Sequence, residues 1–135
     1  MTDYALQELE KKLTDHPFHG VMKLSVTICK DISNIQPGIP LIVICLSSSR
    51  LSVDLRNAIS GVRTGSSTAV LIFHHLKEHA LPTEPSHTIL TKDEVSNVGT
   101  IIDVAFFETM GIYKCDMNIK AFSTLIAFIV DNYKE

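Results

Sequence analysis

The most regular pattern in the chain is an alternation. Met22, Leu24, Val26 and Ile28 are apolar, and Lys23, Ser25 and Thr27 between them are polar. A period of two predicts a strand over 20–29 with one buried face, near a sheet edge. Upstream, Leu6, Leu9 and Leu13 recur at helical spacing, and Glu8 stands four residues before Lys12. These predict a helix capped by Asp3 and running to about Leu13, followed by a turn at Asp15-His16-Pro17. Two later runs are apolar without alternation: Leu41 to Leu46 and Ala69 to Phe73. Strands buried on both faces read this way, as in a parallel sheet covered by helices. A helix starting at Ser67 is the rival for the second run, because Leu76 and Ala80 continue a helical period.

Between these runs lie connectors and helices. Residues 31–40 hold Pro37, Gly38 and Pro40 and read as a connector, and 81–90, with Pro82 and Pro85, as a loop. Leu51, Leu55, Ala58, Ile59 and Val62 fit a helix from about Leu51 to Gly61. Thr91-Lys92-Asp93-Glu94 has the form of a capping box, opening a helix that carries Val95, Val98 and Ile102. Val104 to Phe107 reads as a third buried strand, with helix as its alternative, ended at Met110-Gly111. Asp116 or Asn118 caps a last helix to about Tyr133. The expected order is helix, strand, strand, helix, strand, helix, strand, helix: one α/β domain over 1–135 with helices on both faces of the sheet.

The last helix changes the picture most. Its apolar positions, from Ile119 to Tyr133, cover about 200° of the circumference, roughly twice one sheet-facing stripe. Phe122, Leu125 and Ile129 centre the expected core stripe. Either the helix is deeply buried within the domain or part of it is covered by another protein; in the second case Phe128 and Val130, at opposite margins of the arc, are the candidate partner-binding residues.

Composition narrows the function classes. Of 135 residues, 45% are apolar and 20% charged, an ordinary globular balance. The net charge of −3 and scattered Lys and Arg give no electrostatic footprint for direct nucleic-acid binding. Cys29, Cys45 and Cys115 stand far apart and read as reduced, buried thiols of the cytosol or nucleus. The N-terminus has no signal-peptide pattern, and Phe122 to Val130 is far short of the about 20 apolar residues of a membrane span, so a soluble chain is expected.

Candidate chemistry is sparse. Ser47-Ser48-Ser49-Arg50 follows a buried strand and opens a helix, where hydroxyls, backbone N–H groups and a guanidinium can meet a phosphate. Without a glycine for close approach, plain N-capping is the alternative. His75 and His79 are four apart, and with His74 they form a metal candidate. The pattern is not H-E-x-x-H and no fourth ligand is in reach, so no metal is expected and exposed histidines at a strand end are the simpler reading. No G-x-S-x-G elbow exists. Asp103 and Glu108 read as helix-end and loop residues. The chain carries no recognisable catalytic set and no cofactor is expected.

Phe106-Phe107-Glu108-Thr109-Met110-Gly111, then Asn118-Ile119-Lys120-Ala121-Phe122 and Leu125, resembles the end of a Ras-like small GTPase. There a Glu-Thr-Ser-Ala loop packs on guanine and precedes a helix opening Asn-Val. By the same resemblance, Leu41 to Leu46 matches the strand that ends in a conserved Asp, and Ala69 to Phe73 the strand that ends in Asn-Lys-x-Asp. The functional positions depart from that family. G-x-x-x-x-G-K-[ST] is missing, His74-His75-Leu76-Lys77 replaces Asn-Lys-x-Asp, and Thr109-Met110-Gly111 replaces Thr-Ser-Ala.

This combination resembles the centromere protein M family, pseudo-GTPases of the inner kinetochore. Ala5 to Leu9, Met22 to Val26, Ile39 to Ile44 and Ser48 to Ser52 also match it. The resemblance implies a Ras-like, mostly parallel sheet without its first strand or phosphate loop, hence a shortened chain with a vacant slot beside strand 20–29. Local physics alone pairs 20–29 and 41–46 antiparallel, since their link is only about ten residues. The resemblance further implies a non-catalytic scaffold in the nucleus, at the centromere and kinetochore, held with centromere proteins I, H and K and not homo-oligomeric. The alternative is an atypical nucleotide- or phosphate-binding protein using Ser47 to Arg50.

Overall fold

The computed structural model describes residues 2–14, 39–47, 50–62, 65, 67–93 and 98–132. The expected strand over 20–29, its pairing with 41–46, the turn at 15–17, Cys29 and most of the 31–40 connector lie outside the described residues. So do Ser48, Ser49, Glu94, Val95 and Tyr133.

The described elements are α1 (Thr2–Thr14), β1 (Leu41–Leu46), α2 (Leu51–Ile59), β2 (Thr68–His75), α3 (Ser86–Ile89), β3 (Thr100–Phe106) and α4 (Asp116–Asn132). A 3₁₀ turn at Glu78–Ala80 lies between β2 and α3. The three strands form an all-parallel open sheet in the order β1-β2-β3. Leu41 pairs with Thr68 and Leu46 with Phe73; Ala69 pairs with Thr100 and His75 with Phe106. β2 is therefore the central described strand, and Thr68 to His74 are buried without a break. This is the arrangement its apolar run predicts, and the helical alternative is excluded. β1 departs from expectation. Leu41 to Ile44 are only half-buried and Leu46 is 40% exposed.

The pleat divides the core in two. On one face Leu71, Phe73, Ile102, Val104 and Phe106 pack with Leu9 and Leu13 of α1 and Leu125, Phe128 and Ile129 of α4. On the other, Cys45, Val70 and Ile72 pack with Leu55 of α2, Leu90 and Val98. Helices thus cover both faces of the sheet.

Several boundaries move. α1 starts at Thr2, so Asp3 lies in its first turn rather than capping it. Glu8 does not serve as a simple partner of Lys12: its Oε2 accepts the Ile112 N–H at 2.6 Å, tying α1 to the segment after β3. Gly111, at φ 67°, makes room for this contact, since a Cβ there would meet the Glu8 carboxylate. The presumed loop at 81–90 contains α3 and buries Leu90. β3 spans 100–106 instead of 104–107, and Ile102, expected on a helix, is a buried strand residue. Val98 is still helical; Gly99, at φ 102°, ends that helix, and β-branched Thr100, Ile101 and Ile102 extend the strand.

Asn118 is not a helix cap. From the first turn of α4 its Oδ1 accepts the Ala105 N–H at 2.7 Å, and its Nδ2 donates to Ala105 O at 2.9 Å and Tyr113 O at 2.5 Å. The carboxamide thereby completes the edge of β3 as a neighbouring peptide would. Asn118→Ala strands two buried backbone groups of Ala105 and the part-buried Tyr113 carbonyl, and a loss of about 2–4 kcal/mol in urea-unfolding stability is expected.

Candidate functional site

Parallel strands bring their carboxyl ends to one edge, where α/β sheets usually hold ligands. Ser47, His74, His75, Leu76, Lys77 and the 107–111 turn lie at this edge, so the structure gathers these of the positions singled out in the sequence. It also occupies them. Ser47 N–H donates to Phe73 O at 3.0 Å, and Leu76 N–H reaches both His74 O and Phe106 O, at 2.9 and 3.1 Å. The Tyr113 hydroxyl donates to Leu76 O at 2.6 Å. Burial, with Cys115 and Glu78 nearby, raises the Tyr113 pKa, which keeps the phenol a donor.

Of the Ser47–Arg50 loop, Ser47 and Arg50 are described. Arg50 is the cap residue of α2, with no side-chain capping bond, and it is exposed. Behind the loop, burial and the Asp54 charge push the Cys45 thiol up to about 11, so it stays protonated and inert. Cys45 and Cys115 are free and buried, as expected.

The histidines do not share a helix face. His74 and His75 end β2, pointing to opposite faces, and His79 sits in the 3₁₀ turn. Among the described residues no group of three or more His, Cys, Asp or Glu could hold a metal ion. His75 lies 5.7 Å from the Phe106 ring and 5.3 Å from Phe107, and its buried Nε2 has no partner among the described residues. Lys77 Nζ stands 5.2 Å from the Phe107 ring centre, a cation–π contact.

His74 corrects the expectation of exposed histidines: it is 6% exposed, and its Nε2 meets Asp103 Oδ1 at 2.8 Å. Asp103 is not a helix-end residue but lies mid-β3, where its carboxylate also accepts the Ser86 N–H at 2.9 Å and the Ser86 hydroxyl. Sequence reasoning missed this cluster. Its signal was a lone carboxylate inside an apolar run, which must find donors if buried.

Ser86, Asp103 and His74 do not form a nucleophilic triad. In such a triad the imidazole lies between hydroxyl and carboxylate, taking the proton from one and held by the other. Here the carboxylate is central, and Ser86 is 1% exposed, out of reach of a substrate. The arrangement locks α3 and the end of β2 onto β3.

On the opposite face, an apolar cleft of about 30 Å³ opens between α1, β3 and α4, lined by Leu9, Ile102, Val104, Ala121 and Leu125. It holds about one water, far below the 300–1,000 Å³ of a small-molecule site.

In comparisons with known proteins, no family model, no curated protein and no solved structure matches the chain.

Proposed function

We propose that this protein is a non-catalytic scaffold subunit of the inner kinetochore, a Ras-like pseudo-GTPase of the centromere protein M kind. Its site of action is the nuclear chromosome at the centromere, where it is held with centromere proteins I, H and K and supports kinetochore assembly and chromosome segregation. The order and spacing of the motifs quoted above support the family, and the parallel sheet is consistent with the fold.

One observation carries the non-catalytic part. His74 to Lys77, the stretch standing where a GTPase reads guanine, is committed to the protein's own structure. His74 bonds Asp103, the Leu76 backbone bridges β2 and β3, and Lys77 rests on Phe107. A base entering there would have to break these contacts.

Two measurements test the reading. Co-expression with centromere proteins I, H and K should yield a stoichiometric complex; failure to co-purify sinks the kinetochore assignment. Titration with a fluorescent guanine nucleotide and magnesium should show no saturable signal. Saturable, magnesium-dependent binding lost in Arg50→Ala would instead favour the phosphate site at Ser47 to Arg50.

A further inference from the structure

Two side chains and one hydrogen bond dock α1. Of its 13 residues, Leu9 and Leu13 are buried, Leu6 is half-buried, and Gln7, Lys11, Lys12 and Thr14 are exposed. The groove beneath it is not filled. Its apolar cleft is lined by Leu9 and Lys12 of α1, by Leu71, Ile102 and Val104 of the sheet and by Leu125 of α4. A helix of this length is marginal on its own in water, so α1 keeps its shape only while docked.

The hydrogen bond has a receiving side that stands without α1. Glu8 Oε2 accepts the Ile112 N–H at 2.6 Å. That N–H follows a turn closed by its own bonds. Phe107 N–H donates to Gly111 O at 3.0 Å, and the Met110 and Gly111 N–H groups donate to Phe107 O at 3.0 and 2.6 Å. Tyr113, the next residue after Ile112, is held by Leu76 and Asn118. Gly111, at φ 67°, has no Cβ to take up the place of the carboxylate. Turn and groove together form a preformed receptor. α1 shows what fits it: a carboxylate, an apolar residue directly after it and another four positions on.

We propose that α1 is a strap that lifts from this groove while the sheet, α2 and α4 stay folded. The freed groove takes an amphipathic helix of another protein that repeats the Glu8, Leu9, Leu13 pattern. The proposal is independent of the kinetochore reading.

Hydrogen exchange and a labelled peptide of residues 2–14, both applied to the whole chain, test this. The α1 amides should exchange through an opening that depends little on urea. The β2 amides should exchange only with the steep urea dependence of global unfolding. The peptide should bind saturably, and Glu8→Ala should act with opposite signs in peptide and chain. In the peptide it removes the carboxylate and should weaken binding about tenfold. In the chain it frees the strap, raises the open fraction and should strengthen binding about tenfold, with circular dichroism little changed. Glu8→Gln, which keeps an acceptor oxygen, should shift both by less. One global opening shared by α1 and β2 overturns the proposal. So does a peptide that does not bind, a peptide bound equally well with Glu8→Ala, or a chain that Glu8→Ala unfolds. Failure to co-purify with kinetochore subunits counts against the kinetochore reading alone.

Discussion

Phe128→Glu is expected to abolish folding, while Val130→Glu leaves the fold intact. On sequence pattern alone the two residues are opposite margins of one apolar arc. In the structure they differ tenfold in exposure: Phe128 is 5% exposed within the α1–sheet–α4 core, and Val130 is 50% exposed. Truncating a buried Phe costs about 3–5 kcal/mol, and a carboxylate in its place adds the burial of an unpaired charge. Together these approach or exceed the 5–15 kcal/mol stability of a typical domain. Circular dichroism and urea unfolding should show Phe128→Glu without a cooperative transition and Phe128→Leu within about 1.5 kcal/mol of the parent. A cooperatively folded Phe128→Glu protein would mean that α4 does not pack as described.

The reason for the misplaced margin is a rotation of α4. The sequence centred its core stripe on Phe122, Leu125 and Ile129. The buried residues are Asn118, Ala121, Leu125, Phe128 and Ile129, with Phe122 half-buried. At 100° per residue the face turned to the sheet lies about 40° from the expected one. Hydrophobicity alone could not find this rotation, because the apolar arc is wider than the sheet-facing stripe and admits several orientations. Asn118 sets the orientation: its carboxamide must point at the Ala105 backbone, and that brings Ala121 and Phe128 inward.

What the sequence did disclose follows from local physics. Leu41 to Leu46 and Ala69 to Phe73 are strands because a run with no polar face must be covered on both sides, and β2 is. The start of β3 was hidden because Ile102 also continues a helical period after Thr91 to Glu94, and only the conformation of Gly99 breaks it. The polar ties were illegible for a different reason. Asp103 meets Ser86 across 17 positions and His74 across 29, and Glu8 meets Ile112 across 104. No local pattern encodes such pairs; they exist only once the topology has placed the partners side by side. The same holds for the candidate site, where the sequence pointed to His74 to Lys77 but could not say that Asp103 and Tyr113 would engage it.

Asp103→Ala is expected to be the most damaging polar substitution on the α2–α3 side. One carboxylate serves three donors there: His74 Nε2, the Ser86 N–H and the Ser86 hydroxyl. Removing it leaves those donors without their acceptor, at about 1–3 kcal/mol for each left dry, or about 3–5 kcal/mol in all. Asp103→Asn keeps one acceptor oxygen but turns an NH₂ toward a donor, and should fall between the parent and Asp103→Ala. Ser86→Ala, which removes only a hydroxyl, should cost about 1 kcal/mol.

The pH profile separates this ion-pair role from simple packing. Burial pushes the Asp103 pKa up, but the hydrogen bonds from His74 and Ser86, with the His74 charge, outweigh it and hold the carboxyl below its ordinary value of 3.8. A carboxyl with a depressed folded-state pKa binds more protons when unfolded, so its contribution is full above the unfolded value and is lost as pH falls below about 4 toward the folded value. The stability gap between the parent and Asp103→Asn should therefore be constant from pH 7 to about pH 5 with respect to this carboxyl, then narrow in acid. Urea-unfolding curves across that range measure it. A gap that stays level down to about pH 2.5, or an Asp103→Ala variant within 1 kcal/mol of the parent, would show that the carboxylate is not the group holding α3 and His74 to β3.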